Sequence, residues 1–97
     1  MQDDAFEWDD AKAASNLARH KVSFEVARLA FADAFGLSEE EDRRERYGEV
    51  RELLLGMAQG RLLAVVWTQR GKRTRIISAR RAEPHESRFY HEENAGD

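Results

Sequence analysis

The sequence predicts a single α+β domain over residues 1–97, with an antiparallel sheet and the element order β-α-α-β-β-β-α. Three observations favour this class: two helical patterns near the start, three β-prone apolar runs in the second half, and a proline behind the last run. Gln59-Gly60 and Arg70-Gly71 separate the three runs, and glycine supplies the positive φ that a tight hairpin turn requires. A chain of 97 residues builds one hydrophobic core, so we expect one cooperative unit.

The first half of the chain is expected to hold one short strand and two helices. Phe6-Glu7-Trp8 alternates apolar and polar residues, and Asp9 or Asp10 suits the N-cap of the first helix. Ser23 suits the N-cap of the second helix. Apolar residues at helical spacing follow each cap: Ala13, Ala14, Leu17 and Ala18 in the first helix, and Phe24, Ala27, Ala30 and Phe31 in the second.

The second half is expected to form the sheet. Residues 33–46 (DAFGLSEEEDRRER) carry charges of both signs without a core pattern, which predicts an exposed, mobile connection. Three antiparallel strands then follow at about 49–58, 61–69 and 72–81. Pro84 suits the first turn of a final helix, which Phe89 and Tyr90 would dock on the sheet.

Charge is distributed unevenly along the chain. The formal net charge is −3, but residues 1–50 hold seven Lys/Arg against thirteen Asp/Glu, whereas residues 51–97 hold nine against six. Residues 53–82 contain seven basic side chains and no acid. A local positive field attracts polyanions, and charges beyond about 8–10 Å do not cancel it. The alternative is that these side chains only solvate the exposed face of a sheet.

The last predicted strand carries the densest basic pattern. Strict alternation would place Arg73, Arg75, Ile77, Ala79 and Arg81 on one face and Thr74, Ile76, Ser78 and Arg80 on the other. A guanidinium group presents a planar fork of donors that matches a phosphate. The pattern therefore favours a nucleic-acid or phosphate partner over a solvated edge.

Other classes of site find little support. His20, His85 and His91 are not at metal-ligand spacing, and no cofactor motif is recognisable, so we expect neither metal nor cofactor. Cysteine is absent, which fits a cytoplasmic protein, and the longest apolar run has six residues, which excludes a membrane helix. Trp67 and Trp8 could stack on a nucleic-acid base, although an aromatic residue on a strand more often belongs to the core.

Three separated segments resemble the BrnT family of bacterial type II toxin–antitoxin modules. They are FEWDDAKAASNLARHKVSFEVA (6–27), YGEVRELLLG (47–56) and RLLAVVWTQRGKRTRIISARRA (61–82), which occur in order and cover most of the chain. The resemblance implies a small ribonuclease with a RelE-like fold that inhibits translation. It also implies neutralisation by a BrnA-like antitoxin with a ribbon-helix-helix domain, in a two-plus-two complex that binds operator DNA through the antitoxin.

The resemblance also implies site residues. Cleavage of RNA through its 2′-hydroxyl needs a base, an acid and cations that stabilise the charge on phosphorus. We expect Arg80 at the scissile phosphate, assisted by Arg51 and by Arg75 or Arg81, with His20 and Glu49 as candidate bases. Lys12, which matches the lysine of the family's WDxxK motif, and Trp67 are expected to contact RNA. Lys12 could instead be an exposed helix residue paired to Asp9 or Glu7.

Departures from the family pattern leave a second hypothesis open. Where the family usually has a glycine, Lys21 follows His20, and a lysine in a left-handed conformation costs on the order of 1 kcal/mol. Glu83 and Glu86 stand in a final helix that is commonly more basic. The chain could therefore be a non-catalytic homologue that pairs with a DNA-binding antitoxin and tunes repression of the operon. The two hypotheses differ in whether His20 and Glu49 lie close to Arg80.

Overall fold

A computed structural model of the protein describes residues 1–42 and 49–95. In these ranges the chain forms five strands, three α-helices and one 3-10 helix. The elements in chain order are β1 (Phe6–Glu7), α1 (Asp10–His20), α2 (Phe24–Ala27), the 3-10 helix (Arg28–Ala32), β2 (Leu37–Asp42), β3 (Arg51–Ala58), β4 (Arg61–Arg70), β5 (Arg73–Arg81) and α3 (Pro84–Asn94). None of the described helices is long and apolar enough to cross a membrane.

The five strands form one mixed sheet in the order β1-β5-β4-β3-β2. β1 runs parallel to β5, and the other neighbours are antiparallel, so the expectation of a wholly antiparallel sheet is wrong. The predicted α+β class is confirmed, with one strand more than the predicted order. The hairpin at Gln59-Gly60 is confirmed, and both residues have the positive φ of a type I′ turn, 52° and 77°.

The additional strand is β2, in a segment expected to be an exposed connection. Its sequence, LSEEED, has little intrinsic strand preference. Pairing with β3 overrides that preference, because Leu37 lies opposite Leu55 and packs against the apolar cluster around it. The expectation is therefore wrong for residues 37–42, whereas residues 43–46 lie outside the described ranges.

Local capping signals of α1 and α2 are confirmed. The Asp9 carboxylate accepts the Lys12 N–H at 3.0 Å, and the Ser23 hydroxyl accepts the Val26 N–H at 3.1 Å. Lys21 ends α1 in the left-handed conformation (φ 61°, ψ 27°) and donates its N–H to Leu17 O at 2.9 Å. The chain thus keeps this helix end without a glycine, and His20 stays on the last turn of α1.

The buried face of α1 differs from the expected apolar stripe. Ala14, Leu17 and Ala18 are exposed, Ala13 is partly buried against the core, and the buried residue of α1 is Asn16, with 8% of its surface exposed. Two backbone carbonyls and one backbone N–H satisfy the Asn16 amide. A polar side chain is stable at this position because each of its partners is a backbone group.

Apolar side chains cover both faces of the sheet. One cluster, which includes Trp8, Phe24 and Ile76, lies under α1 and α2, and a smaller one around Leu55 lies under α3. Of the two aromatic residues expected to dock α3, Tyr90 is buried, whereas Phe89 is 41% exposed.

A partly buried carboxylate, that of Asp33, ties α3 to the rest of the fold. The Tyr90 hydroxyl donates to Asp33 Oδ2 at 2.7 Å, and the N–H groups of Met57 and Phe35 donate to the same carboxylate. Burial would raise the pKa of Asp33, but these three hydrogen bonds outweigh it and lower that pKa. Burial, and then the bond to Asp33, raises the pKa of Tyr90 to about 12.

One extra residue in β5 changes which side chains share a face. Val66 lies opposite Ser78 and Trp67 opposite Ile76, so Ile77 has no partner of its own on β4. Because cross-strand partners share a face, the shift moves Arg73 and Arg75 to the face of Ser78 and Arg80. The strict alternation expected for this strand is therefore wrong.

Candidate functional site

α1 lies beside the open edge of β5. β1 pairs with β5 at Thr74 and Arg75, and beyond them this edge has no neighbouring strand among the described elements. The Asn16 side chain takes that place, because it donates to Ala79 O at 2.8 Å and accepts the Ala79 N–H at 3.1 Å. It also donates to Val22 O at 3.0 Å. These three bonds fix the distance between α1 and the strand edge.

A cationic pocket opens between α1 and this edge, with a volume of about 180 Å³. We call it the α1 pocket, and its walls are Lys12, Ser15, Asn16, Arg19, His20, Ile77 and Ser78. The five α1 residues fall at positions i, i+3, i+4, i+7 and i+8, so their side chains project from one side of the helix. Three basic side chains, one amide and two hydroxyls therefore meet around one small cavity.

The basic side chains of the α1 pocket are not neutralised within the described part of the chain. Lys12, Arg19 and His20 make no ion pair and no side-chain hydrogen bond there. The pKa of Asp9 is lowered chiefly by the Lys12 backbone N–H, and the Lys12 ammonium adds to this at longer range. Neither Asp9 nor Glu7 lies in ion-pair contact with Lys12, so its ammonium remains available to a ligand.

Arg80, the residue expected at the scissile phosphate, is held by a carboxylate of α3. Its guanidinium donates to both oxygens of Glu86, at 2.7 and 2.9 Å, and to Arg81 O at 3.2 Å. Glu86 is 7% exposed and also accepts the Glu83 N–H in the capping box of α3. The bond to Arg80 lowers the pKa of Glu86 and raises that of Arg80. Arg80 and Ser78 share a face about 7 Å apart along β5.

The other expected arginines on this face of the sheet also have carboxylate partners. Arg75 donates to Glu7 at 2.6 Å, which joins β5 to β1. Arg51 donates to Glu49 at 3.3 Å, and Arg70 lies 3.9 Å from the other oxygen of Glu49. These pairs cancel much of the charge that the sequence concentrates on the strands.

Glu49 does not converge with Arg80. Arg80 lies opposite Ala64, and Ala64 lies opposite Leu55, whereas Glu49 stands before the first residue of β3. Along β3, Leu55 lies about 13 Å from Arg51. Arg80 lies two strands further across the sheet, on β5. The structure thus brings His20 to the α1 pocket near Ser78 and leaves Glu49 at the other end of the sheet.

Two remaining expected residues lie elsewhere. Arg81 is exposed beside Arg61 and Ser87, in an open hollow at the end of β5. Trp67 packs against Phe31 with a ring-centroid distance of 5.7 Å, and its indole N–H is buried without a partner among residues 1–42 and 49–95. Trp67 thus occupies the core position that is usual for an aromatic residue on a strand.

Sequence reasoning did not select Ser15, Arg19 and Ser78 as site residues, although they line the α1 pocket. The available signal was helical spacing, because Ser15 and Arg19 follow Lys12 by three and seven residues. A search along one side of the helix from Lys12 would have found both. Ser78 was placed with Arg80 on one face, and the register confirms that placement.

One described group of side chains could offer ligand atoms to a metal ion. Glu83, His85 and Glu86 each place a ligand atom within 4.8 Å of the others. Glu86 already binds the Arg80 guanidinium, so a cation at this position would compete with an arginine.

Comparison with protein families identifies the chain. Residues 8–86 match the family described as "Ribonuclease toxin, BrnT, of type II toxin-antitoxin system". The chain belongs to the BrnT family. No curated protein matched the sequence. Membership in this family makes the protein a ribonuclease toxin of a type II module, with an antitoxin as its partner, and the match includes the α1 pocket and Arg80.

Proposed function

We propose that the protein is a metal-independent endoribonuclease that cuts RNA at the α1 pocket and thereby inhibits translation. The observation that carries the proposal is the set of cations in this pocket, which no described carboxylate neutralises. The same proposal includes two further properties: the fold is related to that of the RelE toxins, and the protein is cytoplasmic.

Lys12 and Arg19 bind the RNA backbone in this account. Both side chains line the pocket within two helical turns, and phosphate groups along single-stranded RNA attract such cations independently of base sequence. The Ser15 and Ser78 hydroxyls lie in the same walls and can donate to phosphate or ribose oxygens. The pocket therefore has the chemistry of a phosphate site.

His20 transfers the proton in the cleavage step. A neutral imidazole has one ring nitrogen with a free lone pair, which can accept the proton of the 2′-hydroxyl. The 2′-oxygen attacks phosphorus, the bond from phosphorus to the 5′-oxygen breaks, and the 5′-oxygen takes a proton from the Lys12 ammonium. The products are a 2′,3′-cyclic phosphate and a 5′-hydroxyl, and no other reactant is consumed.

Arg80 stabilises the charge that develops on phosphorus. Its Nε–H and one Nη2–H have no partner in the described ranges, and the bond to Glu86 orients the guanidinium. Ser78 connects Arg80 to the α1 pocket along one face of β5. Arg51 and Arg75, which are paired with carboxylates and do not line this pocket, take no part in the step.

A BrnA-like antitoxin with a ribbon-helix-helix domain neutralises the toxin. An antitoxin that dimerises through this domain would bring two toxins together in a two-plus-two complex, which binds operator DNA through the antitoxin. The net negative charge of the toxin, −3, fits a complex in which the antitoxin makes the DNA contacts.

The experiment that tests the proposal is cleavage of a purified single-stranded RNA by the isolated protein in EDTA. Wild type, His20→Ala and Arg80→Ala would be compared, with circular dichroism as a check on folding. We expect cleavage by wild type, loss of cleavage in His20→Ala, and a 2′,3′-cyclic phosphate on the 5′ fragment. Cleavage that requires Mg²⁺, or that persists in a folded His20→Ala variant, would contradict the proposal.

The arrangement of Glu49 and Arg80 favours a second candidate function. Glu49 lies far from Arg80, and Glu86 occupies part of the Arg80 guanidinium. A homologue that binds antitoxin and RNA without cutting would have the same pocket. Binding of RNA by a folded wild type that leaves the strand intact, both alone and with ribosomes, would select this candidate.

A further inference from the structure

A second groove lies on the opposite edge of the sheet, between β2 and α3. Its volume is about 210 Å³, and its walls are Leu37, Ser38, Glu39, Leu55, Phe89 and Glu93. We call it the β2 groove. Leu37 and Leu55 form an apolar floor, and Phe89 stands on the rim with 41% of its surface exposed. Such an aromatic residue beside an apolar hollow is a typical anchor point for a partner.

The strand beside the groove can accept another strand. β2 is the last strand of the sheet and pairs only with β3 among the described elements. The backbone groups on its outer side make no backbone hydrogen bond within residues 1–42 and 49–95. An extended peptide can therefore add to this edge, and its alternate side chains would then face the β2 groove.

The charge of the groove restricts what can occupy it. Glu39 and Glu93 stand on its two sides, and no described cation lies within ion-pair distance of either. RNA phosphates are repelled by these carboxylates. Pairing of β2 with β2 of a second copy is also disfavoured, because it would bring two rows of glutamates together. A basic, extended segment of another protein complements the groove.

We propose that the β2 groove anchors the antitoxin through a basic segment that adds to β2 as a strand. An apolar side chain of that segment lies beside Leu37 and Phe89, and a Lys or Arg two residues away lies beside Glu39 and Glu93. Cross-strand neighbours stand about 5 Å apart, which permits both contacts at once. The inference rests on the proposed function because it takes the partner to be the antitoxin of the module.

The first test measures binding of the purified antitoxin encoded beside the gene by titration calorimetry. The toxin variants are Glu39→Lys/Glu93→Lys and, as a control with the same change in charge, Asp4→Lys/Glu25→Lys at exposed positions outside the groove. We expect the groove variant to weaken binding about tenfold or more and the control to stay within about twofold. Equal affinities of the two variants would overturn the inference, since the location of the charge would then not matter.

A variant that leaves the charge unchanged tests the apolar contact. Phe89→Ala removes the rim aromatic, and because Phe89 is half-exposed, the fold should tolerate the change. We expect binding to weaken about tenfold, in line with loss of an interface anchor. Unchanged affinity in a variant with a wild-type circular dichroism spectrum would exclude Phe89 from the interface and overturn that part of the inference.

The second test locates the contact by hydrogen exchange. Outer-edge amides of residues 37–42 should exchange rapidly in the free toxin and slowly in the complex. Unchanged exchange there would overturn strand addition. Cleavage of RNA by each variant, measured without antitoxin, should equal that of wild type. If wild type cuts no RNA but the groove variants lose the antitoxin, the inference stands while the proposed nuclease fails.

Discussion

The cations of the α1 pocket and the strand arginines Arg51 and Arg75 differ in whether a carboxylate lies in ion-pair contact with them. Arg51 and Arg75 form ion pairs with Glu49 and Glu7, whereas Lys12, Arg19 and His20 have none in the described part of the chain. A paired guanidinium offers little net charge to a polyanion. We therefore expect RNA to bind where cations are unpaired, and not simply where the sequence places many cations close together.

Removal of the proton-transferring group should produce the largest difference in RNA cleavage between the α1 pocket and the paired strand arginines. His20→Ala removes the proposed base, and we expect cleavage to fall about 100-fold or more, in the range of general base catalysis. Arg75→Ala, which removes a cation paired with Glu7, should change cleavage by less than about threefold. Initial rates on a fluorescent RNA measure both. A larger loss in the Arg75 variant would reverse the comparison.

The next effect concerns the attachment of α1 to β5. Asn16→Ala removes three buried hydrogen bonds and leaves the Ala79 backbone groups without partners, so we expect a loss of about 3 kcal/mol in unfolding free energy. Ser15→Ala, on the same helix at an exposed position, should change stability by less than about 0.5 kcal/mol. Urea unfolding measures both variants. Equal stabilities would show that Asn16 does not hold the pocket together.

The Arg80 to Glu86 pair predicts a dependence of stability on acid pH. The Arg80 guanidinium lowers the pKa of Glu86 below its ordinary value of 4.5, so the pair stabilises the fold above that value. The contribution is lost as pH falls through the lowered pKa. Because Arg80 is 35% exposed, we expect Glu86→Gln to cost about 2 kcal/mol at pH 7, less than a fully buried pair.

The measurement is thermal unfolding between pH 7 and pH 3. The difference between wild type and Glu86→Gln should be constant above about pH 5 and shrink below pH 4.5. Glu92→Gln, on the same helix at an exposed position, is the matched control and should follow wild type. A difference that stays constant to pH 3 would mean that folding does not lower the pKa of Glu86, which would contradict the contribution of the pair.

The smallest effect concerns the end of α1. Lys21 adopts φ 61° without being a glycine, so Lys21→Gly should stabilise the protein by about 0.5–1 kcal/mol. Cleavage should not change, because Lys21 lies outside the α1 pocket. Denaturant unfolding with a parallel cleavage assay checks both. Reduced stability would indicate that the bond from Lys21 Nζ to Ala18 O contributes more than the backbone strain.

Features set by neighbouring residues were predictable from the sequence. The caps at Asp9 and Ser23, the hairpin at Gln59-Gly60 and the start of α3 at Pro84 each depend on a few adjacent residues, and all are confirmed. β2 was not predictable, because its acidic sequence becomes a strand only through pairing with β3, which lies beyond residue 50. One extra residue, Ile77, was enough to reverse the face of half of β5.

The site was predictable in part. Lys12 and His20 were selected through the family resemblance, and the structure brings them together in one pocket. The partners of the arginines could not be read from the sequence. Glu7 reaches Arg75 across 68 positions, and only the parallel pairing of β1 with β5 creates that contact. Charge counting along the chain cannot detect such neutralisation.

The central claim, that the α1 pocket binds RNA through unpaired cations, is tested most directly by the salt dependence of RNA binding. The probe is a 2′-O-methyl RNA, which cannot be cut, and the readout is fluorescence anisotropy at several salt concentrations. Two double variants remove equal charge: Lys12→Ala/Arg19→Ala in the pocket, and Lys72→Ala/Arg88→Ala at exposed positions outside it.

If two phosphate contacts are lost, the slope of log K against log salt should decrease in magnitude by about 1.4 for the pocket variant, at about 0.7 per contact with single strands. The control variant should keep the wild-type slope. Equal slopes in the two variants would mean that RNA responds to total charge, and the account of the α1 pocket would be contradicted.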